Sequence, residues 1–370
     1  MKFKIVALLA GLTISAISFS QIPLTVSASG GNMKASVSER IGLTDIVIHY
    51  DRPGVKGREG KIWGQLVHTG FADQGFGSSK SAPWRAGANE NTTIEFSSPV
   101  KIEGQSLPAG KYGFFIAFDP TESTLIFSRN SSSWGSYYYD DKEDALRVKV
   151  KPVALDKSVE WLKYEFLSET ENKAVIALQW EKLMIPFTIE TDYINEQLAS
   201  FRKELRSDRG FIWEGWDQAA NWCLQHNVNL EQALVWTDSS TGPNFGGDRS
   251  FQAWTTKAQL LEKLNRPDEA TAIMKKTIPI GNVNEVHAYG RQLMMAKKNK
   301  EALEVFKANF QKFPNQFTTL MGLARGYSAS GDLKNGLKYA NQALPLAPNP
   351  QSKTITEGMI AKLKEGENPN

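Results

Sequence analysis

The recurrence of apolar side chains changes period once along this 370-residue chain, near residue 191. From residue 34 to 190 the period is two. DIVIHY puts Ile46, Ile48 and Tyr50 on one face, TTIEF pairs Ile94 with Phe96, and ALRVKV aligns Leu146, Val148 and Val150. Such alternation buries one face of a strand and leaves the other to solvent. Further runs, among them KYGFFIAF, STLIFS and KAVIALQW, are separated by turn-forming stretches such as LPAGKY and DPTES. About nine strands without a helical interlude predict an antiparallel β-sandwich or jelly-roll-like domain over residues 34–190.

From about Tyr193 the period becomes helical and stays so. Three stretches align without gaps. Ala258, Gly290 and Ala324 share one position, Leu261, Leu293 and Tyr327 the position three later, and Ala270, Ala302 and Gly336 mark the second helix of each pair. Their spacings, 32 and 34 residues, suit tetratricopeptide-like hairpins. Small residues recur because paired helices must approach closely. Pro267 falls near a helix start, and Pro314 and Pro348 after helix ends. NLEQAL, with Ala233, reads as an earlier divergent unit set apart by TGPNFGGDR. The expected fold is therefore α+β in two domains, the second an α-helical tetratricopeptide-like hairpin array over residues 191–370.

The opening MKFKIVALLAGLTISAISFSQ has Lys2 and Lys4, an apolar run from Ile5 to Phe19, and small residues around it at the end. That layout predicts a secretory signal over residues 1–20, followed by a flexible segment at 21–33. The run is shorter than the ~20 residues a membrane-spanning helix requires, and no cysteine follows it for lipid attachment. The expectation is an exported chain, periplasmic or extracellular, with neither transmembrane segment nor lipid anchor. Without Lys2 and Lys4 the formal charge falls from +3 to +1, which argues against a nucleic-acid partner. Cys223 is the only cysteine, so no internal disulfide can form, and a buried, inert thiol is expected.

Six ordered stretches, KGREGKIWGQLV, WRAGANENTTIEF, GQSLPAGKYGFF, WGSYYYD, LRVKVKP and WEKLMIPF, make residues 34–190 resemble the exported bacterial family called domain of unknown function 2911. Members of that family sometimes carry a tetratricopeptide-like tail. The resemblance implies a fold and a compartment but no activity. HTGFADQGFGSSKSAP, residues 68–83, departs from the shorter family pattern and places a longer Gly/Ser loop before Trp84.

The turn in WRAGANENTTIEF concentrates chemistry. Gly87 and Asn89 suit a tight turn into the strand at Thr92. On one account Arg85 pairs with Glu90 or Glu95 and the turn is a brace. On the other, Arg85, Asn89 and Glu90 line a pocket together with His49, Arg52 and Arg58 from HYDRPGVKGR, where arginine forks would grip an anion. His49, Asp51, His68 and Glu90 contain no ligand-spaced motif, so no metal and no cofactor is expected. DDKED lacks the glycine and terminal glutamate of a calcium loop and reads as a solvated turn. Trp63, Trp84, Trp134 and the triplet Tyr137 to Tyr139 suit either a sandwich core or a sugar platform. No recognisable catalytic motif appears, and chance explains the match of Ser200 and Lys203 to S-x-x-K.

Two functions are compatible with these features. The first is a non-enzymatic scaffold that binds a protein or peptide partner through the helical repeats. The second is a small-ligand site, for anionic or sugar-like molecules, or a hydrolase-type enzyme, centred on Arg85, Asn89 and Glu90.

Overall fold

The computed structural model describes residues 31–370. The predicted signal at 1–20 and all but the end of the 21–33 segment lie outside the described residues. By internal contacts the chain divides into two compact units that meet at Gln197 and Leu198.

Among the described residues, ten antiparallel strands form the first unit. One sheet has the order β1 (Met33–Ile41), β2 (Thr44–Arg52), β3 (Thr92–Phe96), β6 (Gly110–Ala117), β7 (Ser123–Ser128) and β8 (Asp144–Val150). The other has the order β5 (Gln105–Leu107), β4 (Val100–Ile102), β10 (Lys173–Thr191) and β9 (Val153–Glu169). The register sets Ile48 opposite Ile94 and Ile94 opposite Tyr112, so the alternating residues read from the sequence fall on one face. That face and the inner side of the second sheet share one core, in which Ile46, Ile94, Phe96, Phe114, Trp180 and Phe187 are buried. Phe115, Ala117 and Ile126 point the other way and form a smaller cluster with Tyr139.

Two connections between strands are long. Residues 53–91 link β2 to β3, and residues 129–143 link β7 to β8. The acidic DDKED stretch ends the second of these as a short turn capped by Asp140. It is not wholly solvated, because Asp144 is half-buried and accepts hydrogen bonds from Tyr139 Oη (2.7 Å) and Arg147 Nε (2.6 Å).

α1 (Tyr193–Glu204) spans the junction between the units. Beyond it, helices pack as consecutive hairpins: α2 (Trp213–His226) with α3 (Leu230–Ser240), α4 (Phe251–Lys263) with α5 (Pro267–Thr277), α6 (Val283–Met295) with α7 (Asn299–Lys312), and α8 (Phe317–Ala329) with α9 (Leu333–Ala343). α10 (Pro350–Lys364) closes the array. Ala258, Gly290, Ala324, Ala270, Ala302 and Gly336 are all buried at helix contacts. The reason is visible at Phe306, whose ring fills a socket made by three glycines. A methyl group at Gly290, Gly322 or Gly326 would stand 2.5, 2.7 or 2.8 Å from that ring. Cys223 is fully buried in α2, and burial pushes its thiol up to about 11.

Candidate functional site

The turn at residues 84–91 is a built object in the first unit. Ala86 (φ 51°) and Asn89 (φ 54°) take the left-handed conformation, whereas Gly87 does not. Gly87 is instead required by close approach, since a Cβ there would meet Thr92 Oγ1 at 2.8 Å and the Asp51 carbonyl at 3.1 Å. A left-handed alanine is unfavourable by roughly 1–2 kcal/mol. What holds it is its own carbonyl, which accepts from Thr92 Oγ1 (2.9 Å) and from the buried Tyr164 Oη (2.8 Å). The turn therefore stands on a pedestal of core residues, and a cavity opens on each flank.

The first cavity, about 320 Å³, is lined by His49, Asp51, Glu90, Asn91 and Lys34, with Ser131 to Ser133 at one side. Asp51 is 3% exposed. Burial, then hydrogen bonding to Glu90, raises its pKa above the ordinary carboxyl value. Glu90 is held below its usual range, chiefly by Lys34, whose Nζ lies 2.9 Å from Glu90 Oε2 and 3.8 Å from Asp51 Oδ2. The charges on this flank thus largely satisfy one another. Asp51 Oδ1 and Asn91 Nδ2 remain buried without a partner.

The second cavity, about 370 Å³, contains Arg58, Arg85 and Asn89 in its lining, with Trp84, Trp180 and His68. Arg58 donates to the Val55 and Gly54 carbonyls at 2.9 and 2.7 Å. Arg85 donates from Nη1 to the Asn89 carbonyl at 2.7 Å, and its guanidinium carbon lies 5.3 and 5.2 Å from the ring centroids of Trp134 and Tyr137. Gly135 (φ 72°) lets the chain press against this group, since a Cβ there would sit 2.9 Å from the guanidinium carbon. Two sequence motifs, WRAGANENTTIEF and WGSYYYD, thereby meet at one arginine. Burial depresses the pKa of His68.

The six residues singled out in the sequence do not share one cavity. His49 and Glu90 line the first, Arg58, Arg85 and Asn89 the second, and Arg52 lines neither, because its Nε is committed to the Leu162 carbonyl at 2.9 Å. Arg85 pairs with neither Glu90 nor Glu95. Lys34 escaped the sequence reading, yet a signal for it exists: a hairpin turning at Gly42 and Leu43 puts Lys34 directly opposite Asp51. Trp180 carries no such signal, since only packing of the two sheets brings it to the turn. The longer loop at residues 68–83 supplies a wall of the second cavity through His68 and Gln74, whose Nε2 donates to Ser136 Oγ at 2.8 Å. The aromatic triplet is divided, with Tyr139 buried and Tyr138 exposed, and Trp134 is itself 60% exposed. Among the described residues no group of three or more His, Cys, Asp or Glu side chains is placed to hold a metal ion.

The helical unit has a groove of about 550 Å³ along the first helices of three successive hairpins. Asn221 and Gln225 of α2, Gln252 and Gln259 of α4, and Gln292 and Tyr289 of α6 line it. Gln259 Nε2 donates to Gln292 Oε1 across two helices at 2.9 Å, and Gln252 Nε2 to Asp217 Oδ2 at 2.7 Å. Among the described residues no helix is long and apolar enough to cross a membrane.

Solved structures resemble the chain over somewhat less than half its length. YrrB, described as a TPR protein with an unusual peptide-binding site, is 17% identical, with 46% of this chain and 86% of that one covered at a TM-score of 0.29. PilF of Pseudomonas aeruginosa is 20% identical over 43% of this chain and 72% of its own, at a TM-score of 0.30. TPR-like repeats of a putative kinesin light chain from Podosopora anserina are 13% identical over 41% and 85%, also at 0.30. No curated protein matches the chain. Residues 32–189, which hold both cavities and all ten strands except the end of β10, match the family described as "Protein of unknown function (DUF2911)".

Proposed function

We propose that this protein is an exported scaffold that binds an extended peptide segment of a partner protein along the groove of its helical unit. The groove of amide side chains on α2, α4 and α6 carries this reading. An extended peptide presents unpaired N–H and C=O groups that must be satisfied on leaving water. A carboxamide offers both a donor and an acceptor and so matches a peptide unit without regard to its side chain. Asn221 and Gln225 face the groove beside an aromatic ring, Tyr289, that can cover an apolar side chain of the peptide. Stacked hairpins supply such a surface because each unit exposes the same helix on the same side. Export rests on the charged and apolar pattern of the first 20 residues.

The test is fluorescence anisotropy of the full chain with a library of labelled, unstructured eight-residue peptides. Saturable binding on the order of micromolar is expected for a subset. Replacing Asn221 and Gln225 together by alanine should weaken it about tenfold, the worth of one to two hydrogen bonds. A library that never saturates, or a double variant that binds as well as the parent, sinks the reading.

A further inference from the structure

The cavity beside Arg85 has a donor set with no acceptor to match it. Arg58 and Arg85 both line it, neither forms an ion pair with any carboxylate among the described residues, and no aspartate or glutamate is part of its wall. Their hydrogen-bond acceptors are backbone carbonyls, which leave the two positive charges uncompensated. Arg58 Nη1 and Arg85 Nε and Nη2 make no hydrogen bond among the described residues.

Deeper in, Trp180 is 1% exposed, yet its indole Nε1 is buried without a partner. A buried donor without a partner carries a free-energy cost, which a hydrogen bond to a bound group would return. The other Trp donors nearby are spent, since Trp84 Nε1 donates to the Gly87 carbonyl at 3.2 Å and Trp63 Nε1 to the Trp180 carbonyl at 3.3 Å. The rest of the lining is mixed, with Asn32, Gln74, Asn89 and Ser136 beside the aromatic and aliphatic groups. Trp84 and Trp180 lie nearly parallel, 18° apart with centroids separated by 6.2 Å, and Pro53, Leu66 and Val67 add to the lining.

We propose that this cavity binds a small organic anion, its carboxylate or phosphate group held by Arg58 and Arg85 and its flat apolar body lying against Trp84 and Trp180. Planar guanidinium forks match either oxyanion, so the two head groups share one chemistry here. The cavity, about 370 Å³, accommodates a single-ring ligand. The site is independent of the peptide groove, and neither reading depends on the other.

Isothermal titration of the full chain with benzoate, phenyl phosphate, acetate, inorganic phosphate and benzamide tests the proposal. Benzoate or phenyl phosphate should bind saturably, about tenfold tighter than acetate or inorganic phosphate, and whichever ring compound wins identifies the head group. Benzamide, with the ring but no charge, should not bind. Arg85→Gln should weaken the best probe by about tenfold or more. Because Arg85 also packs on Gly135, Trp180→Phe serves as a second variant that keeps an aromatic ring in the stack and removes the indole donor. It should weaken the probe about threefold to tenfold with an unchanged circular dichroism spectrum. The proposal is overturned if no anion binds, if benzamide binds as tightly as benzoate, or if Trp180→Phe and a folded Arg85→Gln both bind like the parent.

Discussion

The two flanks of one turn handle charge in opposite ways. On the side of Asp51 and Glu90, Lys34 lies across both carboxyl groups, and burial raises the pKa of the inner one. On the side of Arg58 and Arg85 the cations meet only carbonyl oxygens and aromatic faces. A cluster that neutralises itself needs nothing from solution and works as a brace. A cluster left with excess positive charge is the one that an anion would complete under the proposal above. The two flanks of the turn thus differ in residue types as well as in partners: carboxyl groups with a lysine on one, two arginines and no acid on the other.

Several substitutions test that contrast, the largest expected effect being at the shared pedestal. Gly87→Val drives a side chain into Thr92 and the Asp51 backbone, so it should destabilise the protein by about 2–3 kcal/mol in urea melts. Both flanks depend on that packing. Normal stability together with intact anion binding would mean that the turn does not rest there. Tyr164→Phe removes one of two hydrogen bonds to the left-handed Ala86 and should cost about 1 kcal/mol by the same measurement.

Lys34→Met separates the flanks directly. Its ion pair with Glu90 is largely exposed, so the loss should stay below about 1 kcal/mol, while the affinity for benzoate should not change. A change in that affinity would show that the two cavities act as one. The smallest effect expected is in pH dependence. Asp51 has a folded pKa above its ordinary value, so its protonated form is favoured by folding. That contribution is complete below about pH 3.9, the unfolded value, and is lost as pH rises through the folded one. Relative to Asp51→Asn, the parent should therefore lose stability as pH climbs from about 4 towards neutrality. An opposite slope in pH-resolved melts would make Asp51 an ionised partner and the first cavity a cation site.

Much of the architecture was legible because it depends on neighbours close in sequence. The alternation in DIVIHY and TTIEF reappears as one buried face, with Ile48 opposite Ile94. The repeated small residues reappear where helices touch, and Pro267 opens α5. The candidate site was legible only as a stretch of chain. The sequence pointed to the turn and to Arg58, Arg85 and Asn89, but it grouped them with His49, Arg52 and Glu90. It pointed to Gly87 and Asn89 as the turn's special backbone positions; Asn89 does adopt the left-handed conformation, but its companion is Ala86 rather than Gly87.

What the sequence determined by itself was periodic: strands first, paired helices after, and a polar turn entering β3. Period is set by side-chain geometry within one element, and it needs no knowledge of what lies across the core. Only the tertiary structure decided that Lys34 neutralises Glu90, that Gly135 seats Arg85, and that Trp180 arrives beside them from the second sheet with a donor to spare. Those outcomes are set by distances between segments far apart in the chain, and a few ångströms in that packing separate a charge that is paired from one that is not.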